Sequence, residues 1–273
     1  MCLLIVLSRM YPELPLVVAA NRDEWLARPT TAMTVLRAKE PRILGGRDEV
    51  AGGTWMATNE TGMVAGLTNR PPGPAGRLAR RSRGELPLFL AGHTSAALAA
   101  DAFVRAFRPS DYNPCWLLAG DRDSLHYLDM SGCEEEDKPV VRDLSPGLHI
   151  LENRELDADS PKGRHVRQLL IDVEQQRGAE LVAFLADVLR NHQIPEDAED
   201  AAPRDDGFIR PLATEAACVH AGPYGTRSSS IVLVPREANA RPIVHVASGR
   251  PCESPFEDVS ALWDRRASRE SRP

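Results

Sequence analysis

Cys2-Leu3-Leu4-Ile5-Val6-Leu7-Ser8-Arg9 and Leu16-Val17-Val18-Ala19-Ala20-Asn21-Arg22 decide how this chain folds, together with the Met10-Tyr11-Pro12-Glu13-Leu14-Pro15 link between them. Both runs are short, apolar, rich in β-branched residues and bounded by turn signals, the pattern of strands rather than helices. They read as a β-hairpin. In such a hairpin the end of the second strand returns to the start of the first, so Asn21-Arg22-Asp23-Glu24 lies beside Cys2.

Working outward, Gly53-Thr54-Trp55-Met56-Ala57-Thr58, Asn59-Glu60-Thr61-Gly62 and Met63-Val64-Ala65-Gly66-Leu67-Thr68 give a second hairpin. Residues 26–50, carrying Pro29, Pro41, Gly45 and Gly46, read as irregular. Ser82-Arg83-Gly84-Glu85 has capping-box spacing ahead of Leu86, Leu88 and Phe89 and predicts a helix start. Further helices are expected over 95–107, after Ser160-Pro161 with Val166, Leu169, Leu170 and Val173 at helical spacing, and over 179–190. Strands are expected at 115–119, 124–129, 147–152, 229–234 and 242–247. Residues 193–207 read as an acidic surface loop. The blockwise order of strands, helices, strands, helices and strands predicts an α+β protein with two sheets and helices outside them, rather than a doubly wound βαβ sheet. One domain is expected over 1–266, followed by a polar tail at 267–273.

Bulk properties narrow the function. The 273 residues carry a net charge of −6, which argues against a general nucleic-acid or membrane-surface binder. No apolar run approaches the ~18 residues that cross a bilayer. The five cysteines (Cys2, Cys115, Cys133, Cys218, Cys252) are odd in number and widely spaced. They fit neither a disulfide framework nor a zinc motif, and imply a reducing compartment. The start is a poor signal peptide, so a cytoplasmic location is expected. The seven histidines show no metal spacing, and no metal or cofactor is predicted.

Removal of Met1 would leave Cys2 with a thiol and a free α-amine on one residue. With pKa values of about 8.5 and about 7.7–8, the amine can serve as base and the thiolate as nucleophile. An Arg at 22 would favour the thiolate, and a carboxylate nearby could hold the ammonium. The bland readings are a buried edge strand for Cys2 and surface ion pairs for the tetrad. Asn69, ending the second hairpin, could donate to an oxyanion or serve the turn that Pro71-Pro72-Gly73-Pro74 introduces. Arg77, Arg80, Arg81 and Arg83 form either a phosphate- or carboxylate-binding loop or a solvated one.

The initial Met-Cys, Ala20-Asn21-Arg22-Asp23-Glu24, Gly52-Gly53-Thr54-Trp55, Leu67-Thr68-Asn69, Gly84-Glu85-Leu86, Leu151-Glu152-Asn153 and Pro223-Tyr224-Gly225-Thr226-Arg227 together resemble the NRDE family, that of the transport and Golgi organisation protein 2. More distantly, the arrangement is similar to cysteine N-terminal-nucleophile amidases such as bile-salt hydrolases and penicillin acylases. This resemblance implies a four-layer αββα sandwich of two mainly antiparallel sheets. It also implies Cys2 as nucleophile, Arg22 and Asp23 holding it and its amine, Asn69 and Asn153 as oxyanion donors, and Arg227 orienting the site. Asn21, Glu24, Arg80, Arg81 and Arg83 are candidates for substrate contact. The sequence departs from the amidases in having its Arg and Asp adjacent. Adjacent strand residues face opposite ways, so Arg22 and Asp23 do not both face Cys2, whereas Asn21 with Asp23, or Arg22 with Glu24, share a face.

Two functions follow. One is hydrolysis of a linear amide, or a thioester, through an acyl-Cys2 intermediate. The other is non-catalytic binding or transfer of haem or acyl-coenzyme A in the same cleft, for which the arginine loop suits coenzyme A phosphates.

Overall fold

A computed structural model describes residues 2–71, 80–131, 137–198 and 211–265. In chain order, β1 (Cys2–Ser8) and β2 (Leu16–Trp25) form the first hairpin, β3 (Thr30–Arg37) and β4 (Ile43–Asp48) a second, and β5 (Met56–Asn59) and β6 (Val64–Asn69) a third. Helices α1 (Glu85–Leu90) and α2 (Ala96–Ala106) follow, then β7 (Cys115–Gly120), β8 (Leu125–Asp129), β9 (Val140–Asp143) and β10 (Gly147–Leu151). After α3 (Pro161–Leu169) and α4 (Gly178–Arg190) come β11 (His220–Ala221), β12 (Tyr224–Val234), β13 (Ile243–Ala247) and β14 (Glu257–Asp258).

These strands make two antiparallel sheets. One has the order β10-β1-β2-β12-β13-β14, with β11 beside β12; the other runs β3 to β9 in sequence order. Strand β1 explains the layering. Leu3, Ile5 and Leu7 pack with Val166, Leu181, Leu185 and Leu189 of α3 and α4, while Leu4 and Val6 pack with Met56, Val64 and Leu118 of the other sheet. A strand covered on both faces has no polar side, which is why residues 3–7 read as an unbroken apolar run. Helices α1 and α2 cover the far side of the second sheet through Leu86, Leu90, Ala99 and Phe103. The result is the expected αββα order. Each such Leu or Val, fully withdrawn from water, contributes about 1.5–3 kcal/mol.

Two expectations need correction, and one strand was not foreseen. Residues 26–50 are not irregular: β3 and β4 pair there, with Pro29 and Pro41 standing just ahead of the two strands and Gly45 and Gly46 inside β4. Those glycines are required by packing. A Cβ on Gly46 would come within 1.9 Å of the Trp55 ring, and one on Gly45 within 2.6 Å of the Met56 carbonyl oxygen. The capping box at Ser82 does not form. Gly84 caps α1 without a side-chain bond, and Glu85 turns instead to Arg81 and Tyr112. Strand β9, half-exposed and polar at Arg142 and Asp143, has no apolar run to announce it. Ser160 caps α3 ahead of Pro161, accepting from Gly163 N, and Ser95, which no sequence signal had singled out, caps α2, accepting from Leu98 N. Arg77, Cys133, residues 199–207 of the acidic loop and the 267–273 tail lie outside the described residues.

Candidate active site

The site is built by backbone register. In the first hairpin Cys2 stands directly opposite Arg22. On the other flank, β1 and β10 pair Leu4 with Leu151 and Ile5 with Ile150. Continued two residues further, that antiparallel register brings position 153 alongside position 2. Asn153 donates its side-chain amide to the Asn69 main-chain carbonyl, tying the end of β10 to the end of β6 in the facing sheet. Position 2 therefore lies between Arg22 and position 153, on the strand parity of Leu4 and Val6, at one end of the inter-sheet layer.

Arg22 and Glu24 share one face of β2. The Arg22 guanidinium is buried, 3.3 Å from Asp48 Oδ2 and 3.8 Å from Glu24 Oε2, and Nη1 donates to Thr30 Oγ1 at 3.1 Å. It lies 4.2 Å from the centroid of the Trp55 ring, a cation–π contact. Arg28 Nε closes the group at 2.7 Å from Asp48 Oδ2. Burial alone would raise the Asp48 carboxyl, but Arg28 and the Ala51 and Val50 amides hold it below the usual range, so it stays anionic.

Asn21 and Asp23 face the helical layer. Asn21 Nδ2 donates to the Leu189 and Ala217 carbonyls at 3.0 and 2.8 Å. Asp23 Oδ1 accepts from Thr226 Oγ1 at 2.6 Å, and Oδ2 lies 3.8 Å from Lys162 Nζ. The structure thus joins Arg22 to Glu24 across from Cys2 and directs the Asp23 carboxylate to the other side of the sheet. Arg227 is the extra residue of a bulge, because β12 pairs Thr226 with Asp23 but Ser228 with Arg22. Its guanidinium donates to the Leu26 carbonyl.

A cleft of about 320 Å³ opens here, bordered by Arg22, Glu24, Arg28, Asp48, Trp55 and Asn69 on one wall and by Arg80, Arg81, Ser82 and Arg83 on the other. The arginine wall is anchored. Arg80 donates to the Tyr112 carbonyl at 2.6 Å, Arg83 to the Pro114 carbonyl at 3.1 Å, and Arg81 pairs with Glu85 at 2.9 Å. Gly53 and Gly84 hold that wall in place by backbone contact: a Cβ on Gly53 would meet Gly84 Cα at 2.6 Å, and Thr54 N donates to the Gly84 carbonyl at 3.0 Å. The Gly-Gly-Thr-Trp and Gly-Glu-Leu segments are therefore two sides of one crossing.

Residues that sequence reasoning missed are Arg28, Asp48, Trp55, Lys162 and the chain Glu152–Arg154–Glu215, in which Arg154 lies 2.9 Å from Glu152 and 2.7 Å from Glu215. Glu152 and Trp55 sat within recognised segments, and the alternation of β2 pointed toward a partner for Arg22. Nothing in the sequence singled out Asp48, Lys162 or Glu215.

A second cluster of chemistry-bearing side chains lies on the helical side. Cys218 Sγ is 3.8 Å from Cys252 Sγ, and His220 Nε2 is 3.7 Å from the first and 3.2 Å from the second. The ligand atoms of His192, His220 and Cys252 all lie within 4.8 Å of one another.

Two antiparallel sheets packed face to face between helix pairs, with the first strand inside its sheet, give an N-terminal-nucleophile-hydrolase-like fold. An N-acylethanolamine-hydrolyzing acid amidase ortholog of Caenorhabditis elegans superposes with a TM-score of 0.55 at 12% identity, over 88% of this chain and 95% of that one. A C2A mutant of the conjugated bile acid hydrolase of Clostridium perfringens gives a TM-score of 0.48 at 10% identity, over 95% and 97%. Within this class the chain belongs to the transport and Golgi organisation 2 family, which it matches over residues 1–244. It is 33% identical over 238 residues to the transport and Golgi organization protein 2 homolog of Bos taurus, covering 80% of this chain and 82% of the relative. For the Homo sapiens homolog the identity is 31% over 234 residues, with the same coverage. Among the described residues, no helix is long and apolar enough to cross a membrane.

Proposed function

We propose that this protein hydrolyses a linear amide through Cys2 once Met1 has been removed. The observation that carries the reading is the register: Cys2 opposite Arg22, Asn153 continuing along the other flank and tied to Asn69, at the border of an open cleft. Cys2 thiolate attacks the carbonyl carbon, forming a C–S bond while the α-ammonium holds the thiol proton. That proton passes to the leaving nitrogen as the C–N bond breaks. Water then attacks the thioester, the C–S bond breaks, and the acid leaves. Donors at the Asn69–Asn153 junction stabilise the oxyanion of each tetrahedral intermediate. Arg22 favours the thiolate. The acid amidase from C. elegans, a similar fold whose name records amide hydrolysis, supports the substrate class. A thioester is a less demanding substrate for the same sequence of steps.

One observation favours a second reading, in which the cleft binds a ligand without turning it over. Its border carries Arg22, Arg28, Arg80, Arg81 and Arg83, which suits a polyanion such as acyl-coenzyme A, or the propionates of haem. Incubating the full chain with a panel of N-acyl amides and acyl-coenzyme A, and following product release and intact mass, separates the two. Hydrolysis lost in Cys2→Ala carries the first reading. Saturable binding that survives Cys2→Ala but weakens at least tenfold in Arg80→Ala/Arg81→Ala, with no product, carries the second.

A further inference from the structure

The cluster on the helical side of the first sheet has no part in the proposed hydrolysis. Its side chains come from three separated segments: His192 just after α4, Cys218 and His220 at the entry to β11, and Cys252 in the turn after β13. Other bonds fasten these segments together. Cys218 N donates to the Asn191 carbonyl at 2.8 Å, Gln193 N to the Asn191 side chain at 3.1 Å, and Arg190 Nε to the Pro251 carbonyl at 3.0 Å. Ser254 N and Glu253 N close the Cys252 turn on the Arg250 carbonyl at 2.8 and 3.0 Å.

The spacing is informative. Tetrahedral zinc has metal–sulfur arms of about 2.3 Å and metal–nitrogen arms of about 2.0–2.1 Å, which put two sulfur ligands roughly 3.8 Å apart and a sulfur and a nitrogen roughly 3.5 Å apart. The corresponding edges here are 3.8 Å for Cys218–Cys252 and 3.7 and 3.2 Å for the two sulfur–His220 edges. His192 is the fourth candidate ligand: it offers a ring nitrogen within 4.8 Å of the ligand atoms of His220 and Cys252. Two sulfurs converging on one imidazole nitrogen, and in contact with each other, are poor hydrogen bonds but a fitting ligand triangle.

We propose that Cys218, Cys252, His220 and His192 form a Cys2His2 site for a zinc-class ion, which clamps the end of α4 to β11 and to the turn after β13. Two thiolates and two neutral imidazoles match the borderline-soft donor preference of that ion and neutralise its charge. The clamp would be structural, since all four positions are filled by protein. It also backs the candidate active site from behind: Val219 N donates to Thr226 Oγ1 at 2.8 Å, and the same hydroxyl binds Asp23. The sequence expectation of no metal came from local spacing. These ligands share only the Cys-x-His pair, and the other two lie tens of residues away.

The test uses the full chain, stripped with chelator under reducing agent and titrated with Co2+ and then Zn2+. Expected are one equivalent of Co2+ with the intense visible bands of a tetrahedral site and a thiolate-to-cobalt charge-transfer band, displacement by Zn2+, and a rise in melting temperature with Zn2+. Cys252→Ser and His220→Ala each weaken Zn2+ binding more than about hundredfold, beyond what loss of a supporting contact does. Both residues are at least partly exposed, so the variants fold, as a retained far-ultraviolet spectrum verifies. Sub-stoichiometric Co2+ without charge transfer overturns the proposal, as does unchanged affinity in both variants. A Cys218–Cys252 disulfide in protein isolated without added oxidant also overturns it, in favour of a redox pair. Alkylation of Cys2 is read in parallel and is independent of all three outcomes.

Discussion

Arg22 has given up water for three anionic or hydroxyl partners and the face of Trp55. Deleting it leaves the Asp48 and Glu24 carboxylates to Arg28 alone, whose Nε lies 2.7 and 3.9 Å from them. Arg22→Ala is therefore expected to cost about 1.5–3 kcal/mol by denaturant titration, the range for losing hydrogen bonds made by a charged group. Arg22→Lys should recover part of the stability, but not the planar stacking on Trp55. If Arg22 favours the Cys2 thiolate, the pH midpoint of Cys2 alkylation rises in the charge-removing Arg22→Gln and less in Arg22→Lys, which keeps the charge, a pattern that a purely structural role would not give. Asn153 makes a different prediction. Asn153→Ala should lower kcat by about 10²–10³ with little change in KM, because the donor acts on charge that develops only in the transition state. Cys115 and Cys218 are both pushed up to about 12 by burial, so selective alkylation near neutral pH reports on Cys2 with little background from them.

At the scale of elements, the Gly53–Gly84 crossing carries the arginine wall. Gly84→Ala forces a methyl against Gly53 Cα and Thr54 N at 2.9 Å, and is expected to destabilise by about 1–3 kcal/mol and weaken anionic ligands, seen by thermal shift. Strand β10 carries a pH-dependent tie to the loop beyond it. His149 Nδ1 lies 2.9 Å from Asp157 Oδ2, which raises His149, while burial opposes and the His149 bond helps lower Asp157 below its ordinary value of 3.8. The His149 contribution is complete below the ordinary value of 6.5 and is lost as pH rises through the raised value. The Asp157 contribution is present above 3.8 and lost as pH falls through its lowered value. Between pH 6 and 8.5 the wild type should thus lose melting temperature that His149→Gln does not lose. The elements legible in the sequence were those with apolar runs, helical spacing or the Ser160-Pro161 start: β1, β2, β5, β6, β7, β8, β10, β12 and β13, and α2, α3 and α4. The pair β3–β4 was hidden because Gly45 and Gly46 yield space to Met56 and Trp55, and glycine in a short window looks like a turn. Glu85 was spent on Arg81 and Tyr112 rather than on a cap, a choice that only the folded neighbours reveal.

Across the whole molecule, two sheets with helices outside them were readable from the order of strand and helix blocks, the four-layer αββα order from the family resemblance, and the neighbourhood of Cys2 and the tetrad from the first hairpin. The alternation of β2 also separates the tetrad into two jobs. Arg22 and Glu24 serve the cleft, and Asn21 and Asp23 lock β2 to α3, α4 and β12. Asp48, Lys162 and the Cys218–Cys252 cluster escaped sequence reading because each depends on contacts between segments tens to hundreds of residues apart. The account as a whole depends on residue 2 being the nucleophile. Its most direct measurement is peptide mass mapping of the cellular protein after trapping with an N-acyl electrophile at neutral pH. The prediction is a single acyl group on a first peptide that begins at Cys2, absent from Cys2→Ala. A first peptide that retains Met1, or an acyl group carried only by other residues, would contradict it.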